Sequence, residues 1–354
     1  MTAKVSDKHM RVARRIIQDM FAVKPGEVVA LTADDGTDPE ITRGFYEAAV
    51  EVDAKPLVLQ FRKARNNGEA GMADWPAAAM EAALKHADVW IENNEAFTLY
   101  SSMWERVLEA NERIRYNVLA GSSIDSLERV FCDFDISRMA RIIEKIVALA
   151  KQAGRVRAKG ASGTDVTFDL DPTHVIDFDS GDFSKKKFGT APGYVNLVPK
   201  TGTMEGRIVF DMIMHADLSQ GGTVEFEMRN GRITGYGGSH GHLLRDYVEG
   251  FDEENMRKIS HMMIGLCAGV RDLSWEIVED ERIWGGIDFG FGHTSPLDMP
   301  PHGQIASSHF DGISTRATIW FDDVLILENG VFVHPDIKDD AEALLAEYEA
   351  ERKA

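Results

Sequence analysis

Along the first half of the chain, apolar positions recur in two alternating rhythms. Short apolar runs at Val28–Thr32, Lys55–Phe61, Ala87–Asn93 and Ile114–Leu119 read as buried strands. Between them lie segments with helical spacing. Ser6–Phe21 is one, with Val12, Ile16 and Met20 on one stripe and Ser6 or Asp7 as its cap. Asp38-Pro39 opens a helix that runs to about Val52, with the proline in the first turn. Further helices are expected from Trp75-Pro76, over Ser101–Ala110 and over Asp135–Ala153. Strands separated by helices need parallel crossovers, so residues 1–153 read as an α/β domain with a parallel-type sheet.

The rhythm changes near Gly154. Glycine becomes frequent and alternation replaces the helical period. Arg155–Lys159 and Asp165–Leu170 flank a hairpin turn. Gly206–Met214, Thr223–Arg229 and Arg232–Tyr236 follow as strands, the last two joined by the tight-turn pair Asn230-Gly231. Thr318–Phe321 and Val324–Glu328 form a hairpin around Asp322-Asp323, and Asp339–Glu351 closes the chain as a helix. Residues 154–354 therefore read as an antiparallel-rich α+β domain, with the boundary at the glycine.

Composition narrows the function. The chain has 354 residues, 44% hydrophobic and 27% charged, which is the balance of a globular protein with a sizeable core. Its net charge of −19 repels a polyanion, so nucleic acid is not an expected partner. Cys132 and Cys267 are its only cysteines, too few for a disulfide scaffold or a thiolate zinc site, and they suit a cytoplasmic setting. No run approaches the length of a membrane span, and the basic N-terminus lacks the apolar core of a secretory signal. No glycine-rich phosphate loop follows any strand of the first half, so that half is expected to be a scaffold without a nucleotide.

The chemistry concentrates in the second half, which holds nine of the 11 histidines beyond residue 170. In Ala306-Ser-Ser-His309-Phe-Asp311-Gly, the histidine and the aspartate are two residues apart. On an extended strand both point to one side and can reach one ion. A second histidine would complete a two-histidine, one-carboxylate set suited to iron, manganese or zinc. Five candidates exist: His240, His242, His261, His293 and His302. His240 and His242 sit at a helix start, where positions i and i+2 diverge. His302 follows Pro300-Pro301 at a loop tip. His261 lies among apolar residues and from composition alone reads as a core histidine with satisfied ring nitrogens before it reads as a ligand.

Three stretches resemble the aminopeptidase T-like metallopeptidases. They are Val156–Leu170 with its Gly163-Thr-Asp-Val-Thr-Phe168, Asn230-Gly-Arg-Ile-Thr-Gly-Tyr-Gly-Gly238, and His309-Phe-Asp-Gly with Asp322–Gly330. The resemblance covers most of residues 20–335 and implies an M29 aminopeptidase-like fold. It departs at the ligands. Tyr194, in Pro192-Gly-Tyr-Val-Asn196-Leu, stands where the first metal-binding glutamate belongs. His261 replaces the second, and Asp288 replaces a histidine. The 2,5-dihydroxypyridine 5,6-dioxygenases, a branch of the same fold, are similar in Leu244-Arg-Asp-Tyr247, Ile259-Ser-His261 and His309-Phe-Asp311.

That second resemblance implies His261, His309 and Asp311 as ligands of a mononuclear non-haem Fe(II). It implies a hydroxylated aromatic or heteroaromatic substrate, cleaved with dioxygen, and assembly into a homo-oligomer. Two histidines near the substrate in that family fall here at Tyr100 and Gly189, and a serine falls at Gly290. Tyr100, His293 and Asp288 are the expected acid–base groups. Tyr194 and Asn196 are the expected substrate contacts. The alternative is an aminopeptidase or amidohydrolase using zinc, manganese or cobalt, in which Asp288 would be a fourth ligand or the base for a metal-bound water.

Overall fold

The computed structural model describes residues 4–351. It contains two compact units. One comprises the chain up to Ile136 together with Gly181–Pro192; the other comprises Ser137–Ser180 and the chain from Gly193 onward.

The first unit carries a parallel sheet. In spatial order its strands are Lys55–Phe61, Val28–Asp34, Val89–Glu92, Arg115–Val118 and Phe188–Gly189. The crossovers are the helices Pro39–Glu51, Ala77–Leu84 and Ser102–Ala110, close to where the apolar rhythm puts them. Ser6 caps the first helix by accepting the His9 amide, and Asp38 caps the second at the Glu40 amide. Trp90, Trp104, Tyr116 and Phe188 fill the core in tilted, edge-on and stacked contacts.

The division differs from a single boundary near residue 153 in two places. The helix Ile136–Ala150 belongs largely to the second unit, where Arg138 pairs with Asp340 and Glu347 and Lys145 pairs with Asp340 on the C-terminal helix. Gly181–Pro192 returns to the first unit and supplies its fifth strand. Both are long-range pairings that no local pattern encodes.

The second unit is built on two antiparallel sheets. The larger has eight strands, ordered Arg232–Gly237, Val224–Arg229, Glu205–Phe210, Asp165–Asp169, Arg155–Lys159, Thr318–Phe321, Val324–Glu328 and Val331–Phe332. The smaller has six: Met212–Ile213, Gln304–Ser314, Ile287–Thr294, Ile259–Gly265, Tyr194–Leu197 and Asp177–Asp179. The strand expected over Gly206–Met214 is broken at Asp211, where the chain leaves the larger sheet for the smaller. The Asp211 carboxylate holds the corner by accepting the Thr315 amide and hydroxyl, each at 2.8 Å. Among the described residues no helix is long and apolar enough to cross a membrane.

Phenylalanines join the two sheets. Phe210 and Phe226 of the larger meet Phe289, Phe291 and Phe310 of the smaller; the Phe226–Phe291 centroids are 5.3 Å apart and the Phe291–Phe310 rings stack at 5.3 Å. All five rings are buried. Phe226 touches Phe291 and Phe310 across the interface and Phe210 within its own sheet, so truncation leaves a cavity that backbone hydrogen bonds on both sides keep open. Phe226→Ala is expected to cost about 3–5 kcal/mol of unfolding free energy, read from urea titration of the intact chain.

Candidate metal centre

Strand alternation sorts the smaller sheet. On Ile287–Thr294 and Gln304–Ser314 the phenylalanines face the larger sheet, so the residues between them face the other way. Those residues are Asp288, Gly290, His309 and Asp311. On the neighbouring strand, His261 and Met263 share their face. Register then aligns a row across three strands: His261, Gly290 and Asp311 are direct neighbours.

Gly290 is what lets the outer two meet. A Cβ built there would lie 2.3 Å from Cε1 of His261. With no side chain in the middle, the His261 ring lies over the backbone, and its Nε2 comes within 3.6 Å of Asp311 Oδ1. His309 Nε2 approaches the same oxygen at 3.0 Å. The two imidazoles stack with centroids 5.3 Å apart. One ligand atom from each of His261, His309 and Asp311 falls within 4.8 Å of the other two.

Each group is held by a partner. His309 Nδ1–H donates to the His293 carbonyl at 2.8 Å, which turns Nε2 toward the cluster. A backbone carbonyl on the outer nitrogen is the usual support of a metal-bound imidazole. His261 Nε2 shares a hydrogen bond with Asp288 Oδ2 at 2.9 Å. Asp288 is fully buried, and its other oxygen has no hydrogen-bond partner. Glu281 and Arg282, paired with each other, add charge that bears on Asp288 and Asp311.

The electrostatics are those of a site built for a cation. Burial pushes the His261 imidazole down to about 4, against the pull of Asp311. Burial also opposes charge on His309, but the Asp311 carboxylate outweighs it and raises that imidazole to about 9. Burial, then the charges of Asp311 and Glu281, push Asp288 far above the ordinary carboxylate range. An uncompensated buried oxygen, two imidazoles and a carboxylate at ligand spacing fit a divalent ion of the iron, manganese or zinc kind.

The remaining sequence candidates divide. Asp288 reaches the cluster through its hydrogen bond to His261. Asn196 lies on the same face, in a row with Met263 and Asp288, and its buried Oδ1 has no partner. His293 contributes its carbonyl, and its own imidazole is lowered by burial and by His309. Tyr194 is buried and gives its hydroxyl to Asp177 at 2.6 Å, with Arg282 over its ring. Tyr100 belongs to the first unit, at a positive φ of 64° and edge-on to Trp104. His240 bonds Ser239 at a helix start, and His242 and His302 are exposed. Glu281 and Arg282 were not legible as site residues, because an adjacent acid and base after a helical turn look like solvated surface.

A family model described as 2,5-dihydroxypyridine 5,6-dioxygenase matches residues 12–334. A curated 2,5-dihydroxypyridine 5,6-dioxygenase from Pseudomonas putida is 25% identical over 330 residues, covering 87% of this chain and 91% of that protein. The solved structure of the 2,5-dihydroxypyridine dioxygenase from Pseudomonas putida superposes with a TM-score of 0.77 at 19% identity, over 93% of this chain and 98% of that one. Wild-type AmpT from Thermus thermophilus, an aminopeptidase T, superposes with a TM-score of 0.64 at 14% identity, over 92% and 99%. Both structures share the fold of this chain.

The raised His309 value has a measurable sign. In the metal-free chain this imidazole carries its proton up to about 9, against 6.5 when unfolded. The stabilisation it gives is complete below 6.5 and is lost as pH rises toward 9. A metal must displace that proton. Co(II) binding near pH 7 is therefore expected to release one proton or more and to tighten as pH rises toward 9. Calorimetric titration in two buffers of different ionisation enthalpy measures the release; none would show that His309 is already neutral.

Proposed function

The chain belongs to the 2,5-dihydroxypyridine 5,6-dioxygenase family, and from that premise we propose that its centre is a mononuclear non-haem Fe(II) held by His261, His309 and Asp311. It is a ring-cleaving dioxygenase. The observation that carries the metal assignment is the convergence of those three side chains across the Gly290 gap. The substrate we propose is a hydroxylated pyridine or a related phenolic ring.

Bound Fe(II) would give the ring hydroxyl and dioxygen a common site for the electron flow that ring opening requires. The chain does the rest. The His293 carbonyl fixes the tautomer and rotation of His309. Asp311 supplies negative charge to the ion, and His261, kept neutral by burial, supplies a lone pair. The lowered His293 imidazole is neutral near pH 7 and can take a proton from a substrate hydroxyl. Asn196 Oδ1, buried and without a partner, is the acceptor for a ring N–H or hydroxyl. Tyr194, two residues before it on the same strand, gives its hydroxyl to Asp177. The first unit serves as scaffold.

Amide hydrolysis fits less well. Two bridged divalent ions need several carboxylates to offset their repulsion, and the place of one is taken by Tyr194, whose hydroxyl is already used. With Fe(II) loaded anaerobically, oxygen uptake is expected on at least one hydroxylated pyridine in an oxygen-electrode panel. His309→Ala should abolish it together with the metal. Cleavage of leucine or alanine amides is expected to be negligible under any metal. Metal-dependent amide cleavage with no oxygen consumed on any ring would transfer the site to hydrolysis.

We also propose a homo-oligomer in a cytoplasmic setting. The edge strand Lys55–Phe61 leaves Leu57 and Val58 exposed, beside exposed Tyr46 and Val50 of the adjoining helix. An apolar patch along an unpaired edge is the kind of surface a like chain covers. Light scattering at micromolar concentration is expected to give a mass well above the 39.3 kDa of one chain; a value at 39.3 kDa refutes the assembly.

A further inference from the structure

We propose that the first unit carries a binding site of its own, for a small organic carboxylate gripped by Arg43, which gives that unit a task beyond scaffold. The proposal is independent of the metal centre. In the parallel sheet, Val28–Asp34 lies between Lys55–Phe61 and Val89–Glu92, so the chain reverses its direction of winding at that strand. Ligands of open α/β sheets bind at such a point, outside the carboxyl ends of the strands. A cavity of about 210 Å³ stands there. Its lining includes Asp34 at the end of the strand, Thr37 in the loop, Thr42, Arg43 and Tyr46 on the helix Pro39–Glu51, and Val58 on the neighbouring strand. Asn93, just past Val89–Glu92, backs the wall: the Thr37 hydroxyl donates to the Asn93 carbonyl at 2.9 Å, and the Asn93 amide donates to the Thr42 hydroxyl at 3.3 Å.

Arg43 selects the guest. Its Nε is buried and has no hydrogen-bond partner. Its ion pair with Glu40 is long, 3.9 Å, and the same Glu40 oxygen already accepts the Ser6 amide at 2.7 Å. A buried guanidinium N–H without an acceptor is costly, and a planar carboxylate offers two acceptors in the matching fork. Asp34, the acid in the cavity wall, is occupied otherwise: its oxygens accept the Gly36 and Ala96 amides at 3.0 Å and the Thr37 hydroxyl at 3.1 Å. Phosphate fits less well. The Glu40 amide that opens the helix is capped by Asp38 at 2.8 Å and the Gly36 amide by Asp34, and these two carboxylates repel a second negative charge. Size and walls describe the rest of the guest. Sites for drug-sized ligands begin at about 300 Å³, so this one takes a single ring or a short chain. Tyr46 and Val58 offer it aromatic and aliphatic surface. Both belong to the exposed patch assigned above to a like chain, which laid there would roof the cavity.

The test uses the intact chain, treated with a chelator so that no carboxylate is held by an ion. The probes are benzoate and the pyridine monocarboxylates, with benzamide and inorganic phosphate beside them. Calorimetric titration reads affinity. The Nε–H signal of Arg43 in a proton–nitrogen NMR spectrum, identified by its loss in Arg43→Gln, reads the place. The expected result is saturable binding of at least one carboxylate below about 10 mM, with that signal moved and the affinity lower by about tenfold or more in Arg43→Gln. Benzamide and phosphate are expected to bind more weakly than that carboxylate by about tenfold or more. Arg43→Lys keeps the charge without the fork, is expected to weaken binding too, and serves if circular dichroism shows the first variant misfolded. Binding that a folded Arg43 variant leaves unchanged would overturn the proposal. So would an Nε–H signal that stays in place, phosphate tighter than every carboxylate, or no saturation by any of them.

Discussion

The site depends on a missing side chain. His261 and Asp311 are carried by strands that do not touch each other, separated by the strand that holds Gly290. Neighbouring strands lie about 4.8 Å apart, so the two backbones are about 10 Å apart. Their side chains close that distance only by leaning inward over the middle strand. Any Cβ at Gly290 would stand inside the His261 ring. The family resemblance puts a serine at this position; here the ring itself occupies the space.

A second constraint is that charge must be separated from grease within one thin sheet. The period-two alternation does this without further machinery: Phe289, Phe291 and Phe310 seal the sheet against its neighbour, while Asp288, His309 and Asp311 take the opposite face. The phenylalanine layer holds the strands in register, and register sets which side chains converge. A slip of one residue would send the ligands into the core and the rings out of it. Core packing and metal geometry are therefore one requirement on the same three strands.

Burial then fixes the character of the cluster. Carboxylates as deep as Asp288 and Asp311 are costly unless a cation or a protonated imidazole answers them. His309 answers part of the negative charge by keeping its proton, while His261 gives its proton up. AmpT shares this fold, yet the carboxylate position expected from the peptidase resemblance is held here by a tyrosine bonded to Asp177.

How much of this was legible can be judged element by element. Lys55–Phe61, the helix from Pro39 and the Asn230-Gly231 turn could be read directly, since local period, proline and turn chemistry decide them. The pairing of His309 with Asp311 was also local, an i, i+2 relation on a strand. His261 could not be chosen over four other histidines from the residues alone, and only a family resemblance singled it out. Ile259–Gly265 and Ile287–Thr294 gave no clear alternation, because burial on both faces and interspersed glycines erase the pattern. The exchange of Gly181–Pro192 and the helix from Ile136 between units followed from distant pairings. The sequence by itself determined the local elements, the acidic character and the His309–Asp311 pair of the metal set. The tertiary structure decided the rest, because the meeting of His261 and Asp311 over Gly290 is a matter of strand order and register, which arise from contacts far apart in the chain.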